Sequence, residues 1–153
     1  MSKRRQRLPA QPLALFQVVE YLRAFLGGRT GFSRINGLLI ISGAFGVFAK
    51  KWAVAAGGYR TDTVGEDMEL VCAMHALLRE MKVAYRIVFI ADPVCWTEVP
   101  SSLKVLSAQR RRWQRGLLET LWRHRRMLLR PRYGVLAFFS YPFFLLFEGL
   151  GPL

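Results

Sequence analysis

Two short stretches hold the side chains that could do chemistry. The first is Gln109-Arg110-Arg111-Arg112-Trp113, inside a basic run over residues 101–132. On a helix, residues three and four apart share a face, so Gln109, Arg112 and Trp113 line up. A guanidinium forks onto phosphate oxygens. An indole face can stack on the C–H face of a sugar ring, and an amide can donate or accept at a hydroxyl. The trio suits a ligand with both phosphate and sugar; the plainer reading is a solvated basic face with one Trp on a core. The second stretch is Gly65-Glu66-Asp67. A carboxylate within hydrogen-bond reach of a hydroxyl can take its proton. Its plainer reading is a pair of carboxylates at a helix N-terminus, where the dipole favours negative charge.

The composition narrows the partners. The chain has 153 residues and a net charge of +13, yet 52% of it is hydrophobic. That apolar content argues against disorder, and the length suits one domain. The positive charge implies an anionic partner: nucleic acid, an acidic membrane surface or a phosphorylated substrate. Residues 1–7 are basic, but no apolar run follows directly, so no cleavable signal is visible. Cys72 and Cys95 lack the paired spacing of a zinc site and are read as core thiols in a reducing compartment. His75 is expected on a helix surface and His124 in the basic run, neither with a metal partner at ligand spacing.

The elements that must position these stretches follow from periodicity. Residues 1–11 form a basic lead-in. Residues 13–26 keep a helical period until Gly27-Gly28 stops it, and residues 29–36 read as a polar loop. The apolar run 37–48 is too short for a membrane span and reads as a buried strand entering a Gly-bearing turn at Ser42-Gly43. A short helix over 52–56 ends at Gly57-Gly58, a pair suited to a left-handed cap. Leu70, Val71, Met74, Leu77, Leu78 and Met81 make the cleanest amphipathic helix, with Glu66 and Asp67 at its start. Residues 85–91 read as a strand, and 94–99 as a second extended piece. Ser101-Ser102 opens the basic helix, which Gly116 is expected to break in two. A basic helix with Trp and Leu suits a membrane interface. From Gly134 to Phe147 there is no charge, so residues 133–153 suggest the start of a transmembrane helix, with the basic block on the cytoplasmic side. Glu148 then marks where the segment leaves the bilayer or does a job within it.

Taken together, the motifs resemble a family. Ser42-Gly43-Ala44-Phe45-Gly46, Gly57-Gly58-Tyr59, Gly65-Glu66-Asp67-Met68-Glu69-Leu70, Trp96-Thr97-Glu98-Val99-Pro100 and Gln109-Arg110-Arg111-Arg112-Trp113 occur in one order. Order and spacing are similar to the second half of membrane-bound family 2 glycosyltransferases, which include cellulose, hyaluronan and poly-β-1,6-N-acetylglucosamine synthases. The resemblance implies an α/β fold: the C-terminal part of a GT-A-type domain over residues 13–100, interfacial helices over 101–132, and a truncated transmembrane segment. It implies an inverting transfer from a nucleotide sugar, a UDP-sugar above all, to a glycan acceptor at the inner (cytoplasmic) membrane. It implies Asp67 as general base, with Glu66 beside it. It implies Gln109 and Arg112 on the donor diphosphate, Trp113 under the acceptor sugar, and Ser42 and Gly43 bordering the acceptor. Mg²⁺ or Mn²⁺ is implied too.

The departures matter as much. The family's first half, with its nucleotide-binding strands and Asp-x-Asp metal motif, has no counterpart here: Asp62 and Asp67 are five apart and Asp92 stands alone. The chain is therefore expected to be part of a larger synthase and, by itself, to transfer no sugar. Two other classes compete. A nucleic-acid module would use the Arg and Trp residues, but leaves the apolar C-terminal stretch without a purpose. A small membrane-associated structural protein would use the basic helix and apolar tail, but leaves Gly65-Glu66-Asp67 unexplained.

Overall fold

A computed structural model describes residues 11–92 and 99–151. Residues 1–10 of the lead-in, Cys95, Trp96-Thr97-Glu98 and all but the end of the extended piece at 94–99 lie outside the described residues.

The first helix is longer than its glycines suggest. α1 (Pro12–Leu22) runs into a widened, π-helical stretch (Arg23–Arg29) and on into α2 (Thr30–Arg34), with helical backbone angles at both junctions. Gly27 and Gly28 sit inside this rod rather than ending it. The expected polar loop at 29–36 is mostly helix. Gln17, Tyr21, Phe25 and Arg29 recur every four residues. In a plain α-helix that spacing drifts by roughly 40° per step, and the widened turns take up the drift. Tyr21 and Phe25 stack in parallel with centroids 5.5 Å apart, and the Arg29 guanidinium lies 4.1 Å above the Phe25 ring.

Among the described residues there is no β-strand, which corrects the expectation for 37–48 and 85–91. Both stretches are largely extended, with a 3₁₀ turn at Gly43–Phe45 in the first. A strand needs a neighbour's N–H and C=O groups. Side chains stand in for that neighbour along 85–89. Asn36 Nδ2 donates to Tyr85 O at 3.0 Å, Asn36 Oδ1 accepts from Ile87 N–H at 2.9 Å, and Ser33 Oγ accepts from Phe89 N–H at 2.9 Å. Every second residue is satisfied along one edge.

α3 (Lys50–Ala55) ends as its glycines predict. Gly57 and Gly58 have φ of 103° and 70°, and Gly58 N–H donates to Ala53 O at 2.9 Å, the 6→1 bond of a left-handed helix cap. α4 (Glu66–Glu80) is the central element. One side packs Met68 and Cys72 with Leu38, Leu39, Leu117 and Leu121; another packs Leu70, Met74 and Leu78 against Phe48, Trp52 and Tyr85. Cys72 is a buried free thiol whose pKa burial pushes up.

His75 is fully buried, not on the surface as its position in the amphipathic pattern suggested. Its Nε2 is 2.9 Å from Leu38 O and its Nδ1 2.6 Å from Tyr85 OH. A carbonyl only accepts, so Nε2 carries the proton and Nδ1 accepts from the tyrosine. Burial pulls the imidazole down to about 4. One neutral histidine thus ties α4 to both extended segments.

α5 (Leu103–Arg123) is one helix across Gly116, another correction. Ser102 caps it as expected, its hydroxyl accepting from Val105 N–H at 3.4 Å. Past 3₁₀ turns at Arg125–Met127 and Pro131–Tyr133, the chain forms a π-helical stretch (Leu136–Ser140), α6 (Tyr141–Phe143) and a second π-helical stretch (Phe144–Leu150). This rod folds back on α5. Tyr141 OH donates to Leu121 O, and Gln114 Nε2 donates to Gly149 O. Its other face leaves Phe138, Phe139, Leu146 and Phe147 exposed. No helix among the described residues is long and apolar enough to cross a membrane.

Candidate functional site

The start of α4 is fastened to α5 by two glycines. A Cβ on Gly116 would stand 2.9 Å from Gly65 N, and one on Gly65 would stand 3.0 Å from Gly116 Cα. Backbone meets backbone there, and only glycine permits that approach. This is why Gly116 sits in mid-helix without breaking it. Thr63 adds a polar tie. Its hydroxyl donates to Glu119 Oε2 at 3.1 Å and accepts from Gly65 N–H at 3.3 Å.

Asp67 lies one turn-start beyond that contact. Its Oδ1 accepts from Met68 N–H at 2.7 Å. A Cβ on Gly43 would stand 3.0 Å from Asp67 Oδ2, so the bare backbone of residue 43 lies against the other carboxylate oxygen. Oδ2 has no hydrogen-bond donor among the described residues. Ser42, next to it, is exposed and extended; Glu66 is exposed at the first position of α4. The structure therefore brings Gly43 and Asp67 together and leaves Glu66 in solvent.

Gln109, Arg112 and Trp113 occupy α5 one and two turns before Gly116, on the stripe that includes Gly116. By helical rise they stand about 4–11 Å along the axis from the glycine contact. Each has spare capacity. Gln109 Oε1 is buried without a partner. In this orientation it can accept from a donor such as a hydroxyl; with the amide turned over, it would present N–H to a phosphate oxygen. Arg112 is exposed and forms no ion pair among the described residues, and Trp113 keeps 42% of its surface in solvent. Arg110 is committed instead. Its two terminal nitrogens hold both carboxylate oxygens of Glu20 at 2.8 and 2.6 Å, and its guanidinium lies 4.8 Å from the Trp113 ring centroid.

The first helix adds residues that sequence reasoning missed. Burial lowers the Arg29 pKa, while the negative charge of Asp67 acts in the opposite sense, which puts the two groups within electrostatic reach. The row Tyr21, Phe25, Arg29 thus begins 6.0 Å from the Arg110 guanidinium and ends on a cation that feels the charge of Asp67. The four-residue spacing was the available signal, and reading 29–36 as loop concealed it.

Residues 13–153 match the family model described as glycosyl transferase family group 2. The chain belongs to that family. Over 83 residues it is 39% identical to the poly-beta-1,6-N-acetyl-D-glucosamine synthase of Staphylococcus aureus (strain COL), covering 54% of this chain and 19% of the relative. Over 111 residues it is 30% identical to the same-named synthase of Staphylococcus epidermidis (strain ATCC 35984), covering 72% of this chain and 26% of the relative. The chain thus matches about a fifth to a quarter of the length of these curated relatives. No solved structure matches it significantly.

Membership of family group 2 implies a GT-A type of fold, of which the described residues are a helical portion with two extended segments. The family also implies a divalent metal. The described residues do not supply a site for one: no group of three His, Cys, Asp or Glu among them could hold an ion. No step below is routed through a metal. Glu69 is buried and His124 largely so, with His124 Nε2 3.1 Å from Glu69 Oε1, and burial lowers the His124 pKa.

Proposed function

We propose that this chain supplies the base, the leaving-group contacts and the acceptor platform of an inverting transfer from a nucleotide sugar, a UDP-sugar by resemblance, to a growing glycan. The observation that carries the proposal is the Gly65–Gly116 contact, which locks the turn bearing Asp67 to the helix stripe bearing Gln109, Arg112 and Trp113. Asp67 Oδ2 takes the proton of the acceptor hydroxyl as its oxygen attacks the anomeric carbon. The bond from that carbon to the diphosphate breaks, and Arg112, with Gln109, stabilises the charge that collects on the leaving group. Trp113 stacks on the acceptor ring, while Ser42 and the bare backbone of Gly43 leave room for its end. The nucleotide-binding half comes from elsewhere in the synthase. The full names of the staphylococcal relatives support poly-N-acetylglucosamine as the first polymer to test.

The test is product formation by the complete synthase in nanodiscs. Asp67→Asn keeps the shape and removes the base, so turnover should fall about 10²–10⁴-fold with donor affinity little changed. Arg112→Lys loses the planar fork, so turnover and donor affinity should fall together. Trp113→Ala should chiefly slow elongation. Near wild-type turnover in a folded Asp67→Asn enzyme would remove the base assignment.

The same proposal places the chain on the cytoplasmic face of the inner membrane. Support comes from the exposed Phe16, Val19, Leu22 and Leu26 on the first helix and from Phe139 and Phe147 near the C-terminus, beside a strongly basic α5. Apolar contact survives salt screening, so the chain should float with acidic liposomes in high salt. Quantitative release by salt alone would count against membrane docking.

A further inference from the structure

Arg110, the second residue of the Gln109–Trp113 turn, has no assigned role, and its contacts point to one. Arg110 is the only cation of that turn held by an ion pair among the described residues. Its partner, Glu20, is ninety residues away in sequence, on α1. The pairing is bidentate, the geometry that fixes a guanidinium plane as well as its position. The guanidinium lies 4.8 Å from the Trp113 ring centroid and 6.0 Å from that of Tyr21. α1 is itself anchored at this point, because buried Gln17 donates to Pro100 O at 2.9 Å, just ahead of the α5 cap.

We infer that Glu20 is a positioning residue for Trp113, acting through Arg110. The carboxylate orients the guanidinium, and the guanidinium covers one face of the indole and limits its rotation. The remaining exposed surface of Trp113 is thereby presented in one orientation. A free arginine at this position would sample many rotamers and leave the indole unrestrained. The inference extends the acceptor-platform reading of Trp113 and rests on it for its consequence, though not for its geometry. A cation–π contact at a half-exposed site corresponds to about a two- to fivefold change in an equilibrium. That is the size of acceptor weakening expected when Glu20 is neutralised.

Fluorine NMR of the chain in nanodiscs tests this directly. The four tryptophans are Trp52, Trp96, Trp113 and Trp122. Each is labelled as 5-fluorotryptophan, with Trp113 assigned by Trp113→Phe. Trp122 is an internal control, because the Arg125 guanidinium covers it at 4.9 Å without Glu20. Glu20→Gln should shift or broaden the Trp113 resonance beyond its linewidth and leave Trp122 in place. Arg110→Met should move the same resonance, and the double variant should add nothing further. An unmoved Trp113 signal in folded Glu20→Gln overturns the inference. If Glu20→Gln unfolds the chain, Arg110→Met decides, since it leaves Glu20 intact. Titration with a soluble N-acetylglucosamine oligomer separates the two ideas. A Trp113 signal that answers to Glu20 but not to the oligomer keeps the strut and removes the acceptor platform. One that answers to both should show the two- to fivefold weaker oligomer binding in Glu20→Gln.

Discussion

His75 and the Gln109–Trp113 turn are both polar features beside α4, and they are built in opposite ways. At His75 each valence is closed: one ring nitrogen donates to Leu38 O, the other accepts from Tyr85 OH, and no water reaches either. At the turn, only Arg110 is closed. Gln109 has a buried orphan oxygen, Arg112 has no ionic partner among the described residues, and Trp113 is half in solvent. A buried polar group without a partner costs about 1–3 kcal/mol. Closed groups hold a fold together, whereas open ones carry a cost that a ligand can relieve. The difference separates framework from candidate site more sharply than residue type does, since histidine is the residue usually suspected first.

The largest way to break the comparison is acid. Burial holds the His75 pKa at about 4 in the folded chain, against about 6.5 for a free imidazole. Between those values the unfolded chain binds the extra proton and the folded chain does not, so stability falls as pH drops through that window. The full loss is about 3 kcal/mol, reached near pH 4, and none of it is felt above about pH 7. His124, also lowered by burial, acts with the same sign, so the measurement belongs in a His124→Gln background. Urea midpoints in detergent at pH 7, 5.5 and 4.5 read it out. A flat profile in that background would mean the His75 node is not closed to solvent.

Sequence and structure part company for reasons visible in individual residues. The helix over 66–80, its acidic start, the glycine cap after α3 and the Ser102 cap were legible because each depends on neighbours within a turn. The strands were not realised because a ladder depends on a partner, and Asn36 and Ser33 fill that place along 85–89. Gly27-Gly28 and Gly116 looked like stops because glycine is a poor helix former. Whether it stops a helix depends on its surroundings, the Tyr21–Phe25–Arg29 stack that spans the pair in one case and Gly65 in the other. His75 looked external because α4 shows a polar stripe, but the extended segments cover that stripe. In the site, Gly43 against Asp67 agrees with the order of the motifs. Glu20, Tyr21 and Arg29 were hidden by distance in sequence.

A smaller effect sharpens the contrast from the open side. Gly116→Ala inserts a methyl 2.9 Å from a backbone nitrogen that has no side chain to move aside. Overpacking of this kind costs about 1–3 kcal/mol. It should also tilt the Gln109–Trp113 stripe away from Asp67, lowering turnover of the complete synthase. Gly27→Ala is the matched control. A Cβ there meets nothing within 4 Å, so the helix should gain about 0.5–1 kcal/mol. Thermal midpoints of the two variants should move in opposite directions. Equal shifts would mean that the glycine contact does not hold the two helices in register.

The smallest effect tests on which side of the divide Glu66 falls. It is exposed at the first position of α4, one of three acidic residues in that turn, and its neighbour Asp67 is the one placed against Gly43. A carboxylate in that location stabilises the helix dipole by about 0.3–1 kcal/mol. Glu66→Gln should therefore lower stability by no more than that and leave turnover of the complete synthase within about fivefold, since 0.3–1 kcal/mol corresponds to a factor of about two to five. Folding and product formation measured on the same preparation distinguish the possibilities. A small stability loss with preserved turnover makes Glu66 framework, like His75, and leaves the proton transfer to Asp67 alone. A turnover loss comparable to that of Asp67→Asn, with stability unchanged, would move Glu66 into the open set and require the two carboxylates to share the acceptor proton.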